Sequence, residues 1–277
     1  MEEAGIRVVL DPRGEAKPEG WTRIVCFSDT HGRLHRIPPR NIVEADILLH
    51  AGDFTMSGEL EQVKSFSAWL KRYPAKSKVV IAGNHDITFQ PEYYERSWQR
   101  FHGLRYQCEQ VRAALTDCIY LEDESVELNG YTIYGSPWQP EFCDWAFNLD
   151  RGAECRKVWE AIPEKTDILI THGPPKGFGD RCVDGAEVGC EELLEAIRLR
   201  SVPVSVAGHI HEGYGAVSDE VTMFVNASTC NFEYEPVNPP VVLDFPPPEE
   251  LRRAVARSRT LPTAHIPAEA EGEAEEP

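Results

Sequence analysis

The sequence contains no apolar run long enough to cross a membrane. A spanning helix needs about 18 consecutive apolar residues, and no stretch of the 277-residue chain provides them. The N-terminal segment MEEAGIRVVL also lacks the basic start and the long apolar stretch of a secretory signal. The sequence therefore predicts a protein that has no membrane as a partner.

Basic residues are scarce. The chain has 28 Lys and Arg against 46 Asp and Glu, which gives a net charge of −18. Such a charge disfavours non-specific attraction to polymeric nucleic acid and to anionic membranes. It does not exclude a small phosphorylated substrate, because two bound divalent cations would reverse the local sign.

The cysteines show no CxxC spacing. There are eight of them, at positions 26, 108, 118, 143, 155, 182, 190 and 230. Their scatter indicates neither a zinc ribbon nor a disulfide scaffold. A reducing compartment is therefore expected, and the predicted location is the cytoplasm.

The composition is that of a folded enzyme-sized chain. With 42% hydrophobic residues, its length predicts one large α/β domain with appendages. We assign residues 1–245 to this domain. The segment 246–277 is a Pro-rich and acidic tail, predicted to be disordered apart from a possible short helix near its start.

Apolar runs predict buried parallel strands at five places in the chain. These runs are residues 23–27, 46–50, 78–81, 167–170 and 204–206. Further strands are expected at 131–136, 222–228 and 241–245. Because only short Gly- and Asp-containing segments link the last strands, we expect 204–208, 222–228 and 241–245 to be antiparallel neighbours in a mixed sheet.

Helical spacing of apolar residues predicts helices over 58–72 and 187–200. A short helix is expected over 109–117, and the pattern over 152–161 is weaker. The aromatic-rich segment 86–107 has no clear period, which indicates a long functional loop with a helical turn. Two sheets packed face to face, with helices outside, accommodate all these elements.

Each of the five buried runs ends in a short polar motif. The motifs are Ser-Asp29-Thr-His31, Gly52-Asp53, Gly83-Asn84-His85, Thr-His172-Gly and Gly208-His209-Ile-His211. Any one of them has an ordinary structural explanation as turn chemistry or as surface histidine. Five in succession at strand ends are better explained by a ligand site, because ligands bind at the carboxyl edge of such sheets.

The residue types at these ends are metal ligands. Three oxygen donors (Asp29, Asp53, Asn84) and four imidazoles (His31, His172, His209, His211) exceed the needs of one cation. They suit two divalent ions that share a carboxylate. The mixed nitrogen and oxygen donors favour transition metals, Mn first and then Fe, Zn, Ni or Co, over Mg or Ca.

Two groups of residues near the motifs keep alternative interpretations. His50 either supports the following Gly-Asp turn or is a satisfied core histidine, and the second is favoured. The aromatic residues Trp138, Phe142, Trp145 and Phe147 either wall a pocket and stack a base or form core under a loop. The histidines at 35, 102 and 265 are predicted to have no role in the site.

The motifs in this order resemble those of the calcineurin-like metallophosphoesterase superfamily. The longer strings SDTHGRL, LLHAGDFT, VVIAGNHDITF, THGPPKGF and HIHEGYG look specifically like its metallophosphoesterase-domain-containing branch. The resemblance covers roughly residues 20–245. It implies a mixed α/β fold, a four-layer α-β-β-α sandwich of two mixed sheets that holds two divalent metals.

The resemblance also implies a role for each residue. Asp29, His31, Asp53 and His211 would hold the first metal, and Asn84, His172 and His209 would complete the second, with Asp53 as bridge. His85 would be catalytic, and Asn84, His85 and His209 would contact substrate. The implied function is hydrolysis of small phosphodiesters, cyclic nucleotides foremost, by metal-activated hydroxide. The alternative is a metal-bound nucleotide-binding or scaffold protein with little turnover.

Two positions depart from patterns in that superfamily. Its phosphoprotein phosphatases carry an Asp that orients the catalytic histidine, in the string GDxxDRG. Here Met56 stands at that place, which disfavours a phosphoprotein substrate and leaves the partner of His85 open. In addition, some members of the resembled branch have Gly where this chain has His209. Those members lack one metal ligand, whereas this chain has the full set.

Overall fold

The structure is a computed structural model, and it describes residues 5–219 and 221–258. Fourteen strands and six α-helices follow one another in this part of the chain. The first sheet has six strands in the spatial order β1, β14, β2, β3, β4, β5. Their bounds are Arg7–Val8 (β1), Val241–Phe245 (β14), Thr22–Phe27 (β2), Ala45–His50 (β3), Ala75–Val80 (β4) and Ile119–Tyr120 (β5).

The second sheet also has six strands, in the order β12, β13, β11, β10, β7, β6. They are Gly215–Ser218 (β12), Met223–Asn226 (β13), Val204–Ala207 (β11), Ile168–Thr171 (β10), Tyr131–Ser136 (β7) and Glu124–Leu128 (β6). A separate ribbon of two strands pairs Gln139–Pro140 (β8) with Asn148–Leu149 (β9).

The helices lie between and after these strands in the chain. They are Leu60–Arg72 (α1), Pro91–Ser97 (α2), Cys108–Ala113 (α3), Ala153–Trp159 (α4), Glu191–Arg200 (α5) and Pro248–Ser258 (α6). Among the described residues, no helix is both long and apolar enough to span a bilayer.

Buried side chains form three apolar layers, which place the sheets between the helices. On β2, Ile24 and Cys26 belong to the layer between the two sheets, whereas Val25 and Phe27 pack with α1 residues such as Phe66. This alternation follows from the two-residue period of a strand. A third layer joins the second sheet to α4 and α5. The order helix, sheet, sheet, helix confirms the predicted four-layer sandwich.

The five strands that precede the polar motifs are parallel where they pair. In the first sheet β2 pairs with β3, and β3 with β4, in parallel. In the second sheet β10 and β11 pair in parallel. The polar motifs therefore follow the carboxyl ends of neighbouring strands, as the apolar runs predicted.

The predicted arrangement of the last strands is wrong. β11 and β13 are parallel rather than antiparallel, and β14 lies in the other sheet, antiparallel to β2. The Asp-containing turn after residue 218 instead closes a hairpin between β12 and β13, where the Asp219 carboxylate accepts hydrogen bonds from the amides of Val221 and Thr222 at 2.9 and 2.8 Å. The Asp-containing segment does form a turn, but the turn connects β13 to the edge strand β12, which the sequence pattern did not predict.

The predicted helices over 58–72, 109–117 and 187–200 are present with shorter bounds. The weakly supported segment 152–161 is also helical, because Cys155 and Trp159 bury one face of α4 against α5. The segment 86–107, predicted as a loop with one helical turn, contains the two-turn helix α2 and short 3-10 turns.

The chain after β14 is ordered further than the predicted tail allows. Leu251 of α6 is fully buried in the layer between the sheets. Arg252 donates hydrogen bonds to the Asp167 carboxylate at 3.1 and 2.7 Å. This helix is the short helix expected near the start of the segment, and its packing on the core was not predicted. The acidic segment 259–277 lies outside the described residues.

Truncating Leu251 to Ala is expected to destabilise the fold by about 2–5 kcal/mol, the usual cost of a cavity at a fully buried leucine. Leu199→Ala is the matched control, because Leu199 also lies on a helix but is 74% exposed. Urea unfolding of both variants measures the difference. A loss below about 0.5 kcal/mol for Leu251→Ala, the surface range, would mean that α6 is not docked.

Candidate metal centre

The five polar motifs meet at one edge of the two sheets. Backbone hydrogen bonds join the loops to one another: the Asp29 amide donates to Gly52 O at 2.9 Å and the Gly208 amide to His172 O at 2.9 Å. Because these loops are tied by their main chains, the side chains they carry are held in fixed relative positions.

The backbone at this edge is strained. Asp29, His31, Asp53 and His209 have φ values of 51°, 41°, 56° and 66°, in the left-handed region that non-glycine residues rarely occupy. Each such residue costs on the order of 1–3 kcal/mol and persists only where the surroundings enforce it. Clustering of four in one place is typical of a functional site.

A first donor group consists of Asp29, His31 and His211. His211 Nε2 lies 3.2 Å from His31 Nε2 and 3.4 Å from Asp29 Oδ1. Asp29 Oδ1 is buried yet accepts no hydrogen bond. His211 Nδ1–H donates to Asn231 O at 2.8 Å, which leaves the Nε2 lone pair facing the other donors. Outer hydrogen bonds of this kind orient metal-binding histidines.

A second donor group consists of Asp53, Asn84 and His172. His172 Nε2 lies 2.9 Å from Asn84 Oδ1 and 3.4 Å from Asp53 Oδ2. His172 Nδ1–H donates to Ala51 O at 2.8 Å, so Nε2 is the ring nitrogen that points at Asn84 Oδ1 and Asp53 Oδ2. The residues fit a second cation with nitrogen and oxygen ligands.

Asp53 lies between the two groups. Its Oδ2 is 3.8 Å from His31 Nε2 and 3.4 Å from His172 Nε2. Its Oδ1 accepts a hydrogen bond from the His85 amide at 2.8 Å. Asp53 therefore has the position that a carboxylate shared by two cations requires.

His209 is placed beside the second group rather than within it. Its ring centroid lies 5.1 Å from that of His172, and it joins none of the compact donor groups found among the described residues. The His209 amide donates to Asp29 Oδ2 at 2.9 Å. The other six predicted ligands all belong to the two donor groups. His209 lies beside these groups and is not a member of either.

The electrostatics of the site favour cations. Burial opposes ionisation of both aspartates, but the neighbouring imidazoles of His211 and His172 hold the pKa values of Asp29 and Asp53, respectively, below their ordinary value. Burial lowers the pKa of His31 and of His209 to about 3. Burial acts to lower the pKa of His172, but the charge of Asp53 outweighs burial and raises that pKa to about 9. Because neutral imidazoles beside ionised carboxylates are the forms that bind metal, His172 would lose a proton when it binds a cation.

Asp86 braces the site without entering it. Its carboxylate accepts hydrogen bonds from Thr55 N at 2.9 Å, Thr55 Oγ1 at 2.6 Å and Gly83 N at 2.9 Å. Burial and the charge of Asp53 raise its pKa to about 8. Asp86 thus links the loop of Asp53 to the loop of Asn84, and it does not bond to the adjacent His85 ring.

The ring of His85 is held by a main-chain atom and by an indole. His85 Nδ1–H donates to Met56 O at 2.8 Å, so the residue that replaces the expected Asp supplies its carbonyl instead. Trp145 stacks on the imidazole with centroids 4.0 Å apart and an interplanar angle of 24°. Nε2 remains as the unpaired ring nitrogen.

Sequence reasoning missed several contributors. Tyr234 has its ring 4.7 Å from that of His31, and Ser228 Oγ donates to Asp29 Oδ2 at 2.9 Å. Ser228 belongs to the Asn226-Ala-Ser228 segment at the end of β13, for which the sequence favours a structural role, and Tyr234 follows it. A polar motif at the end of one more buried strand was the signal available.

Of the four aromatic residues considered as pocket wall or as core, two lie beside the site and two do not. Phe142 contacts the His209 ring at 5.1 Å and is 47% exposed, and Trp145 covers His85. By contrast, Phe147 is buried in the layer between the first sheet and α1, and Trp138 donates its indole hydrogen to Asp123 at 2.9 Å.

The remaining histidines stay apart from the donor groups. His50 is fully buried and its Nε2 lies 3.1 Å from Thr30 Oγ1, as a core histidine would. His35 is exposed, and His102 Nδ1 lies 2.8 Å from the Tyr94 hydroxyl. His265 lies outside the described residues.

The sequence matches the family model for calcineurin-like phosphoesterases over residues 22–213, which includes every donor described above. The chain belongs to this family. Metallophosphoesterase domain-containing protein 1 of Homo sapiens is 48% identical over 249 residues, which cover 86% of this chain and 75% of the human protein.

Further comparisons agree with this family assignment. UPF0046 protein C25E10.12 of Caenorhabditis elegans is 38% identical over 236 residues, covering 83% of each chain. A crystal structure with 17% sequence identity aligns with a TM-score of 0.56 over 77% of this chain and 92% of the other, which supports the fold. Calcineurin-like phosphoesterases are metal-dependent hydrolases, so the donor groups are candidate metal sites of a hydrolase.

His209→Gly is expected to weaken metal binding at the group of Asp53, Asn84 and His172 and to lower phosphoester turnover by about 10- to 100-fold, the range for loss of a group that supports a metal site. The backbone should tolerate the change, because glycine favours the φ of 66° found here. Elemental analysis and turnover at saturating Mn²⁺ measure both effects.

The matched control for this change is Asn129→Gly, at a left-handed residue (φ 51°) that belongs to neither donor group. It should keep the parent's metal content and turnover. Two firmly bound metals and parental turnover in His209→Gly would exclude His209 from the metal site.

Proposed function

We propose that this protein hydrolyses small phosphodiesters, with cyclic nucleotides as the foremost candidates, and that it works with two divalent transition metals. The observation that carries the proposal is the position of Asp53 between the two donor groups, 3.8 Å from His31 Nε2 and 3.4 Å from His172 Nε2. A single metal would have no use for two such groups.

When bound, two divalent cations neutralise phosphoryl oxygens and lower the pKa of water, which supplies a nucleophile at neutral pH. The protein's own contribution is placement. Asp29 and Asp53 provide the negative charge that holds the cations, and His31, His172 and His211 present Nε2 lone pairs. Mixed donors of this kind favour Mn²⁺ over Mg²⁺.

His85 is the proposed general acid. Its Nδ1–H is occupied by Met56 O, so Nε2 is the atom available to donate a proton or a hydrogen bond to the leaving oxygen. The His85 amide also donates a hydrogen bond to Asp53 Oδ1. This bond fixes the position of the proposed acid relative to the bridging carboxylate. Asn84 and His209 are the proposed further substrate contacts.

The mouth of the site supports a small substrate with a flat group. Phe142 and Trp145 are exposed or half-buried beside His209 and His85, and an aromatic face of this kind stacks a base. The net charge of −18 disfavours polymeric nucleic acid and anionic membranes. We place the protein in the cytoplasm, with a small phosphoester as its partner.

The test is a metal-resolved activity panel on the purified full chain. Chelation should abolish hydrolysis, and Mn²⁺ should restore it better than Mg²⁺. Among monoesters, aryl diesters, 2′,3′- and 3′,5′-cyclic nucleotides and phosphoserine peptides, a diester should have the highest kcat/KM, since the carboxylate typical of phosphoprotein phosphatases is replaced by Met56.

Three outcomes would overturn the proposal. Less than one metal per chain after Mn²⁺ loading would remove its chemical basis. A higher kcat/KM for phosphoserine peptides than for every diester would reverse the substrate class. Tight nucleotide binding with negligible turnover at full metal loading would instead identify a binding or scaffold protein.

A further inference from the structure

A pair of buried cysteines lies on the opposite side of the second sheet from the layer between the sheets. Cys155 is in the first turn of α4, and Cys190 is the N-cap residue immediately before α5. Both side chains are fully buried. The two sulfur atoms and a Glu192 carboxylate oxygen lie within 4.8 Å of one another, and both cysteines are free thiols.

The surroundings distinguish the two sulfurs. Cys190 Sγ accepts a hydrogen bond from Trp159 Nε1–H at 3.3 Å and lies at the N-terminus of a ten-residue helix, where negative charge is favoured. Cys155 has the Cys190 sulfur and the Glu192 carboxylate as its close polar neighbours. A hydrogen bond between the sulfurs lowers the pKa of Cys190 and raises that of Cys155.

We propose that Cys155 and Cys190 form a peroxide-oxidisable thiol pair, in which Cys190 is the attacking sulfur and Cys155 the resolving one. The Cys190 thiolate attacks one oxygen of hydrogen peroxide, which releases hydroxide and leaves Cys190 as a sulfenic acid. The Cys155 thiol then displaces that oxygen as water, and an S–S bond forms. Each disulfide consumes one peroxide and two thiol hydrogens.

The geometry allows this bond. The sulfurs must approach from at most 4.8 Å to about 2.05 Å. Burial restricts the oxidant to a molecule near the size of water, so bulky disulfides are excluded. Other buried thiols, such as Cys26, join no such cluster among the described residues.

A carboxylate beside two sulfurs also raises the question of a soft metal. Three donors are present, but existing hydrogen bonds already satisfy them: Glu192 Oε1 accepts from the Gly152 amide at 2.7 Å and Glu192 Oε2 accepts from Cys190 at 3.4 Å. A thiol pair that is satisfied without a cation favours redox chemistry over metal binding.

The experiment uses the full chain with Cys143→Ser, because Cys143 is exposed and would react on its own. Limited hydrogen peroxide followed by denaturing alkylation should lower the number of alkylated thiols by two and the unalkylated mass by about 2 Da. Glu-C cleavage after Glu187 separates Cys182 from Cys190, so the crosslinked peptides should contain Cys155 and Cys190 only.

Variants make the assignment specific. Cys155→Ser should stop at the Cys190 sulfenic acid, trapped by dimedone added together with denaturant, and Cys190→Ser should form neither product at Cys155. Cys26→Ser, at another buried thiol, should form the disulfide as the parent does. If a serine variant fails to fold, peptide mapping of the parent chain decides by itself.

The proposal is overturned if positions 155 and 190 remain alkylated to the untreated level after peroxide. It is equally overturned if Cys190 proceeds to sulfinic acid without a crosslink. A thiolate charge-transfer band on addition of Co²⁺, absent from Cys190→Ser, would assign the cluster to a metal instead. In the expected result, the oxidised chain also melts several degrees higher, because the crosslink restrains the unfolded state.

Discussion

Replacing Asp53 by Asn is expected to lower phosphoester turnover by about a thousandfold, at the upper end of what loss of one electrostatic group in an active site costs. The same change should deplete both metals. The reason is that Asp53 Oδ2 faces His31 and His172 at once, so one lost charge weakens two donor groups. Elemental analysis and turnover on an aryl diester measure the two effects.

Asp123→Asn is the matched control for this variant. Asp123 also has a left-handed backbone, with φ of 55° against 56° for Asp53, and its carboxylate bonds Ser136 and Trp138 rather than a donor group. It should retain both metals and parental turnover. If Asp53→Asn kept two metals and normal turnover, Asp53 could not be the shared ligand.

The second large effect is expected for His85→Ala. Removing a general acid lowers the rate by about 10²- to 10⁴-fold, while the metal content should stay close to that of the parent, because the members of both donor groups remain in place. A ring nitrogen of His85 lies within 4.8 Å of donor atoms of His31 and Asp53, so elemental analysis has to accompany the rate measurement. The loss should be largest for alkyl esters, whose leaving oxygen needs a proton, and smallest for nitrophenyl esters.

The comparison across leaving groups separates this role from simple misfolding. An exposed histidine change, His35→Ala, should affect neither metal content nor rate. Equal losses on alkyl and nitrophenyl esters would show that His85 does not protonate the leaving group. A large loss of metal in His85→Ala would place its ring in the metal site itself.

The sequence predicted the central sheets and most of the site because both depend on local patterns. Buried parallel strands are apolar on both faces, so runs such as 23–27 and 46–50 stand out without tertiary information. Carboxyl ends of neighbouring strands meet at one edge, and Asp29, Asp53 and His172 could therefore be placed together from their positions after strands alone.

What escaped prediction depends on contacts between distant segments. The short edge strand Gly215–Ser218 has too few residues to show a period, and α4 is helical chiefly because Trp159 packs against α5. The partner of His85 could not be found by residue type, since the acceptor is the main-chain oxygen of Met56. α6 is held in position because Leu251 packs into the layer between the sheets, a contact that the local sequence does not reveal.

The bond between His85 and the Met56 carbonyl has a consequence for how the sequence can change over time. A side-chain partner is lost with one substitution, whereas a carbonyl is supplied by whichever amino acid occupies the position. The hydrogen bonds from Thr55 to Asp86 hold the loop conformation. As long as that conformation is kept, the side chain at position 56 can be substituted without loss of the bond to His85. A sequence alignment would therefore not show that His85 depends on the main-chain oxygen of residue 56.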